Sequence, residues 1–194
     1  MAIDKVVSAS ITTDAVGPTQ LNEASNYAFT GTVTGAGGIT EIDYWVLTAA
    51  QTISSANTNT VLTSNWGRYT GMGSNYKGTG MSESSGIFTF PSTGYYRIEF
   101  SPLFAYNNTN SNYVLGNIMT TTDNGTYNNP TEQAGQIANT EMAVSLPASM
   151  IFDVTNTSTH KVKFQVHTRS ASVYVNGSST KIRTYASFIK LGDT

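Results

Sequence analysis

From Gly86 to Phe100 the chain alternates strictly enough to dictate its local geometry. Ile87-Phe88-Thr89-Phe90 runs into Pro91-Ser92-Thr93-Gly94, and Tyr95-Tyr96-Arg97-Ile98-Glu99-Phe100 follows. Successive side chains of a strand point to opposite faces, so Tyr96, Ile98 and Phe100 share one face while Tyr95, Arg97 and Glu99 share the other. A one-residue slip would bury Arg97 and Glu99, which pins the register. Pro-Ser-Thr-Gly predicts a four-residue turn at which two strands meet. Helical i, i+3, i+4 periodicity is hard to find anywhere, and the chain reads as all-β.

The same logic predicts strands at 42–47, 113–119, 141–146, 150–154, 161–166, 172–175 and 184–191. Seven or eight strands at this spacing suggest a sandwich or barrel. Val175-Asn176-Gly177-Ser178 contains an Asn-Gly hairpin signal, although the residues after it are polar. The stretches 54–85, 107–112 and 123–136 read as long loops rich in Asn, Gly and Tyr, the places where a rigid sheet carries binding residues.

Composition narrows the function classes. Ten Lys+Arg against twelve Asp+Glu leave a formal charge of −2, which excludes a nucleic-acid binder held by bulk charge. With 39% hydrophobic and 11% charged residues the chain can form a core, and what replaces the missing charge is Ser, Thr, Asn and Gly. Such a surface is uncharged but well hydrated. There are no cysteines, hence no disulfide, thiolate metal site or thiol nucleophile. No apolar run approaches a membrane span and the N-terminus lacks the pattern of a signal peptide, so the expectation is a product made in a cytoplasm, without membrane insertion.

Residues 1–40 differ from the rest. They are too sparse in large apolar side chains for a core of their own, with a short strand at Phe29-Thr30-Gly31-Thr32-Val33-Thr34 and a hinge-like Gly35-Ala36-Gly37-Gly38 linker. This divides the chain into an N-terminal attachment arm, 1–40, and a head domain, 41–194, with the arm packed on its own copies or on a larger assembly.

The segment beginning at Gly86 closely resembles the central motif of the complement first-component q globular head, within the tumour-necrosis-factor-like jelly-roll superfamily. The motif has the form Gly-x-Phe-Thr-x-Pro-x-x-Gly-x-Tyr, and Gly86, Phe88, Thr89, Pro91, Gly94 and Tyr96 meet its fixed positions. The family's next apolar position falls on Ile98, its core Phe of the last strand on Phe188, and its opening strand on Trp45 or Val46. The resemblance covers residues 41–194 and implies a jelly-roll β-sandwich assembled as a homotrimer. Two departures stand out. Thr155-Asn156-Thr157-Ser158-Thr159-His160 replaces the Gly-Asp pair many members carry, so a calcium or turn role there is not carried over, and residues 1–40 lack the Gly-x-y repeat of a collagen stalk. The N-terminal composition resembles instead the Thr/Gly/Ala-rich linker before the head of bacteriophage fibre proteins, particularly of marine phages.

Chemistry is weakly represented. His160 and His167 have no third imidazole or thiol nearby in sequence, so neither nominates a metal site. Ser149, Asp153 and His160 can be assembled on paper into a triad, but no Gly-x-Ser-x-Gly elbow supports it. The glycine-rich stretch 71–80 fits neither dinucleotide nor Walker spacing, and the acceptor sequons at Asn107, Asn124, Asn156 and Asn176 are as many as chance gives in so Asn-, Ser- and Thr-rich a chain. The aromatics divide into two sets. Trp45, Phe88, Tyr96, Phe100, Phe164 and Phe188 alternate along strands and read as core or trimer interface. Trp66, Tyr69, Tyr76, Tyr106, Tyr113 and Tyr127 lie in or beside polar loops, where rings could stack on the sugars of a host cell-surface glycan or merely cap the sandwich.

These readings converge on a non-enzymatic virion protein without cofactor or metal: a trimeric jelly-roll head of a phage fibre or capsid decoration, joined to other virion proteins through residues 1–40 and assembled in the host cytoplasm. The competing expectation is a stand-alone, lectin-like glycan-binding module.

Overall fold

The computed structural model of the chain describes residues 38–69, 71, 76–105, 110–138 and 142–194. Within them the elements are strands, arranged in three antiparallel sheets. A five-stranded sheet runs β12 (Ala148–Val154), β7 (Gly94–Ser101), β15 (Tyr185–Gly192), β1 (Ile42–Leu47), β4 (Trp66–Arg68). A six-stranded sheet runs β10 (Gln133–Ile137), β9 (Ser111–Thr121), β13 (Lys161–Thr168), β6 (Ile87–Thr89), β5 (Ser82–Ser84), with β3 (Thr58–Val61) on the far half of β13. A small sheet joins β11 (Ala143–Ser145), β8 (Leu103–Ala105), β14 (Val173–Val175) and β2 (Gln51–Ile53). The architecture is the expected all-β jelly roll. The attachment arm falls almost wholly outside the described residues, which begin at Gly38.

Alternation decided the long strands. Strand β13 buries Val162, Phe164, Val166 and Thr168 and turns Lys161, Lys163, Gln165 and His167 outward. Strand β7 buries Tyr96, Ile98 and Phe100 as its pattern required.

The core is a column of aromatic rings between the two large sheets. Fully buried Phe88 touches Trp45 (5.3 Å), Trp66 (5.4 Å), Phe164 (5.3 Å) and Phe188 (5.4 Å) between ring centres. Phe164 in turn stacks on Phe100 at 4.6 Å. These tilted and edge-on contacts add to the apolar area each ring removes from water.

Three of the fixed positions of the Gly86 segment, Gly86, Gly94 and Tyr96, have a physical cause in the structure. Ser85 and Gly86 both have positive φ, 53° and 80°, as a two-residue type I′ turn between β5 and β6 requires. A Cβ on Gly86 would lie 2.4 Å from the Leu62 carbonyl oxygen. Gly94 has φ 138°, and a Cβ there would lie 2.4 Å from the Gly192 carbonyl oxygen, so only glycine lets β7 start this close to β15. The Tyr96 hydroxyl donates back to the Ser92 carbonyl (3.1 Å), tying the turn to the strand it feeds.

Several expectations are corrected. The turn at Pro91–Gly94 does not close a hairpin: β6 pairs with β5 and β13, whereas β7 pairs with β12 and β15. It is a corner between sheets, and Phe90 reaches across it to Tyr96 at 4.8 Å. Asn176-Gly177 does not form a hairpin either. The Asn176 N–H bonds to Leu103 O (2.7 Å) and the Ser178 N–H to Leu47 O (2.8 Å), so the segment is held by two other strands. The stretch 54–85 is no single loop, since β3, β4 and β5 lie within it, and β10 takes up the end of 123–136 and runs on to Ile137.

One ribbon is broken twice at the same level. Strands β7 and β8 are separated by Pro102, and β11 and β12 by Leu146-Pro147, and these are the strands that pair with each other on both sides of the break. Proline cannot donate to a ladder, so both strands leave the five-stranded sheet together and continue in the small one. Ser101 and Ser145 bridge the gap through their hydroxyls at 2.7 Å.

Phe88→Ala is expected to lower unfolding free energy by about 3–5 kcal/mol, read from the denaturant midpoint at unchanged slope, because four facing rings cannot collapse into the space.

Candidate functional site

The sandwich presents two outward faces. On the five-stranded sheet the register aligns Ile151, Arg97, Ile189 and Ile42 in one row across β12, β7, β15 and β1, and Ser149, Glu99, Ser187 and Tyr44 in the next. Ile151, Leu191 and Tyr95 are 54%, 53% and 42% exposed, a concentration of apolar side chains on one sheet face. Three of the polar groups among them bind one another, while Asp153, opposite Tyr95, keeps a buried Oδ1 without a partner. The Tyr185 hydroxyl donates to Glu99 Oε1 (2.6 Å), Arg97 donates to Glu99 Oε2 (3.1 Å), and the Tyr185 ring stacks on Tyr44 at 4.9 Å. Burial first, and then the hydrogen bond and charge of Glu99, push the Tyr185 phenol up to about 12. Burial, followed by Tyr185 and Glu99, raises Tyr44 as well.

On the six-stranded sheet the outward positions of β13 are Lys161, Lys163, Gln165 and His167, set among Met119 and Leu115 of β9 and Ile87 of β6. Two of the six loop aromatics lie on this face, each with a cation over its ring. Lys163 Nζ stands 3.8 Å from the Tyr127 ring centre, and the Arg169 guanidinium is 5.6 Å from that of Tyr113. His167 is edge-on to Tyr113 at 6.0 Å and bonds through Nδ1 to Asn59 Oδ1 at 3.1 Å. The Tyr127 hydroxyl is buried without a hydrogen-bond partner, and burial raises its pKa.

The other four candidates separate. Trp66 belongs to β4 and packs on Phe88, Phe100 and Phe164, with its indole N–H on Leu62 O (2.8 Å), so its ring is part of the core packing. Tyr69 is half-buried next to β4. Tyr76 is exposed under the Arg68 guanidinium at 4.5 Å. Tyr106 lies outside the described residues. The structure therefore pairs Tyr113 and Tyr127 with β13 and places Trp66 in the core.

Sequence reasoning missed a buried carboxylate centre beside Tyr76. Asp43, 2% exposed, accepts from Arg68 Nε (3.0 Å), the Trp45 indole N–H (2.9 Å), and the backbone N–H groups of Met81 (2.7 Å) and Tyr44 (3.0 Å). Arg68 lies between the rings of Trp45 (4.9 Å) and Tyr76 (4.5 Å), and Glu41 accepts from the Thr79 and Gly80 N–H groups. Both carboxylates thus fasten the 77–81 segment to β1. The signal was present: alternation puts Asp43 on the same face as Trp45 and Leu47, and a carboxylate on a buried face needs partners.

The candidate catalytic groups do not form a site. Ser149 and Asp153 are four residues apart on β12, about 13 Å along a strand, and both His160 ring nitrogens are taken by threonine hydroxyls, Thr155 at 3.2 Å and Thr159 at 3.1 Å. Among the described residues no group of three His, Cys, Asp or Glu is placed to hold a metal, and no helix is long and apolar enough to cross a membrane.

Two outcomes check this geometry. Arg68→Ala leaves the buried Asp43 charge short of its cation and is expected to cost about 2–3 kcal/mol in denaturant unfolding. Because the folded-state pKa of Tyr185 lies above its ordinary 10, the unfolded chain ionises first as pH rises, so the contribution is full below about 10 and is lost toward about 12. Stability is expected to fall across that window, and Tyr185→Phe to flatten the fall.

No protein-family model and no curated protein matches the sequence. Among solved structures, murine APRIL is similar at a TM-score of 0.55 and 13% identity, over 78% of this chain and 98% of that one. Eiger TNF from S. frugiperda is similar at 0.58 and 10%, over 81% and 96%. PRD1 vertex protein P5 is similar at 0.51 and 15%, over 80% and 100%. At such identities the likeness is one of fold, and the fold of this chain is that of the tumour-necrosis-factor-like jelly roll.

Proposed function

We propose that the chain is a non-enzymatic virion protein: the homotrimeric jelly-roll head of a phage fibre or capsid decoration, attached to other virion proteins through residues 1–40. The observation that carries this reading is the apolar outer face of the five-stranded sheet. Ile42, Ile189 and Ile151 stand in one row there, interrupted by Arg97 on β7, with exposed Tyr95 and Leu191 on the same sheet. Three copies sharing these faces around an axis remove the row from water, and the trimers implied by the complement-head resemblance have that symmetry. Arg97, Glu99 and Tyr185 bind one another, and the unpartnered Asp153 Oδ1 opposite Tyr95 calls for a donor from the neighbouring copy. The likeness to PRD1 vertex protein P5 supports a place on a virion, assembled in the host cytoplasm.

The mechanism is geometric. The five-stranded sheets turn inward, the six-stranded sheets and their loops turn outward, and the outward parts meet the host surface or shield the particle. No bond-making step and no cofactor enters.

Light scattering of the purified full-length chain should give a mass near three times 20.8 kDa. Ile189→Asp places a carboxylate in the shared row and should shift the equilibrium toward monomer about a hundredfold or more, with β-sheet circular dichroism unchanged. A monomeric wild type overturns the reading.

A further inference from the structure

The outward face of the six-stranded sheet carries a row of cations without carboxylates. Lys161 and Lys163 alternate along β13 ahead of Gln165 and His167, and the cation Arg169 follows, a span of about 26 Å at strand spacing. The register sets Thr121, Met119, Asn117 and Leu115 of β9, all buried, and then Tyr113 on one side of the row, and Val61 and Asn59 of β3 on the other. Strands β3, β6, β9, β10 and β13 contain no Asp or Glu. Glu83 of β5 sits opposite inward-facing Phe88 and accepts the Gly86 N–H. Asp123 and Glu132 lie in the connection between β9 and β10, and Asp123 is engaged in its own turn, accepting from Thr121 Oγ1 (2.7 Å) and from the N–H groups of Gly125 and Thr126 (both 2.8 Å). The face is therefore locally positive on a chain whose net charge is −2.

The cations are held in place. Lys163 and Arg169 lie over the rings of Tyr127 and Tyr113, and Lys161 Nζ donates to Thr89 Oγ1 (3.1 Å) and Thr157 O (2.7 Å). A side chain already ordered loses less entropy when an anion arrives.

We propose that this face binds an acidic polysaccharide, a chain of carboxylate- or sulfate-bearing sugars laid along β13. Lys163 and Arg169 pair with the anionic groups, the edges of Tyr127 and Tyr113 meet the sugar rings, and Asn59 and Gln165 bond hydroxyls. A neutral glycan leaves the cation row unmatched. A nucleic acid needs more cations than the row offers and open rings for base stacking, whereas both tyrosines already carry a cation. The proposal rests on the reading of this face as outward in the assembled head, and names the chemistry it would meet.

The test uses the full-length protein with three immobilised polymers: polygalacturonate, dextran sulfate and neutral dextran. Binding is expected to one or both polyanions at an ionic strength of about 0.01 M, with marked weakening at about 0.1 M, where the screening length shortens roughly threefold. The preferred polymer tells carboxylate from sulfate. Lys163→Ala combined with Arg169→Ala should weaken binding about tenfold or more, while Lys181→Ala, which removes one charge elsewhere, leaves it within about twofold. Equal retention on neutral dextran, no retention on either polyanion at low salt, undiminished binding by the double variant, or equally tight binding of single-stranded oligothymidylate would each overturn the proposal. Light scattering on the same samples separates the two readings. A monomer that binds polyanion overturns the trimeric head alone, and a trimer that does not bind overturns the polysaccharide alone.

Discussion

Two β-sheets can face each other only if the space between them is filled, and here it is filled by rings. Phe88 stands at the centre, with Trp45 and Phe188 reaching it from one sheet and Phe164 from its own, while Trp66 closes the side. Large flat side chains fix the separation and the lateral position of the sheets together, because a tilted ring contact is lost by small sliding as well as by opening. Much of the rest follows from that placement. The type I′ turn at Ser85-Gly86 sets the register that delivers Phe88 inward, and the corner at Pro91–Gly94 carries the chain over to the opposite sheet, where Tyr96, Ile98 and Phe100 continue the same layer.

How far this could be read without coordinates depended on what each segment pairs with. Long strands such as β7 and β13 carry a buried face of their own, so alternation revealed both their existence and their orientation. Short strands such as Ser82–Ser84 and Thr58–Val61 have almost no apolar side chains. They are held by backbone hydrogen bonds to a neighbour that already exists, and such pairing leaves little mark in composition. The turn at Pro91–Gly94 was legible as a turn but not as a corner, since local chemistry fixes how sharply a chain reverses and not which strand it meets afterwards. Asn176-Gly177 shows the converse: a strong local preference yielded to hydrogen bonds from Leu47 and Leu103.

The candidate aromatics were sorted by the same principle. Trp66 stood among polar residues in sequence, yet its neighbours in space are Phe88, Phe100 and Phe164. Tyr113 and Tyr127 flank a strand that turns Lys161 and Lys163 outward and is followed by Arg169, a juxtaposition created by the β9–β13 register. The two large sheets differ most along one strand each: β15 turns Tyr185 and Ile189 outward, whereas β13 turns Lys161, Lys163, Gln165 and His167 outward.

The order of strands also carries a consequence for biosynthesis. Strand β15 lies between β7 and β1, and β1 finds its long partner in β15, which is the strand furthest along the chain. Until that segment has left the ribosome, the earlier strands have a gap where the middle of their sheet belongs, and long-range closure of this kind is slow. Tyr185, Ile189 and Leu191 arrive with it. The surface proposed to join one subunit to another is thus completed by the same event that completes the fold, so prematurely terminated chains lack the means to enter an assembly and spoil it.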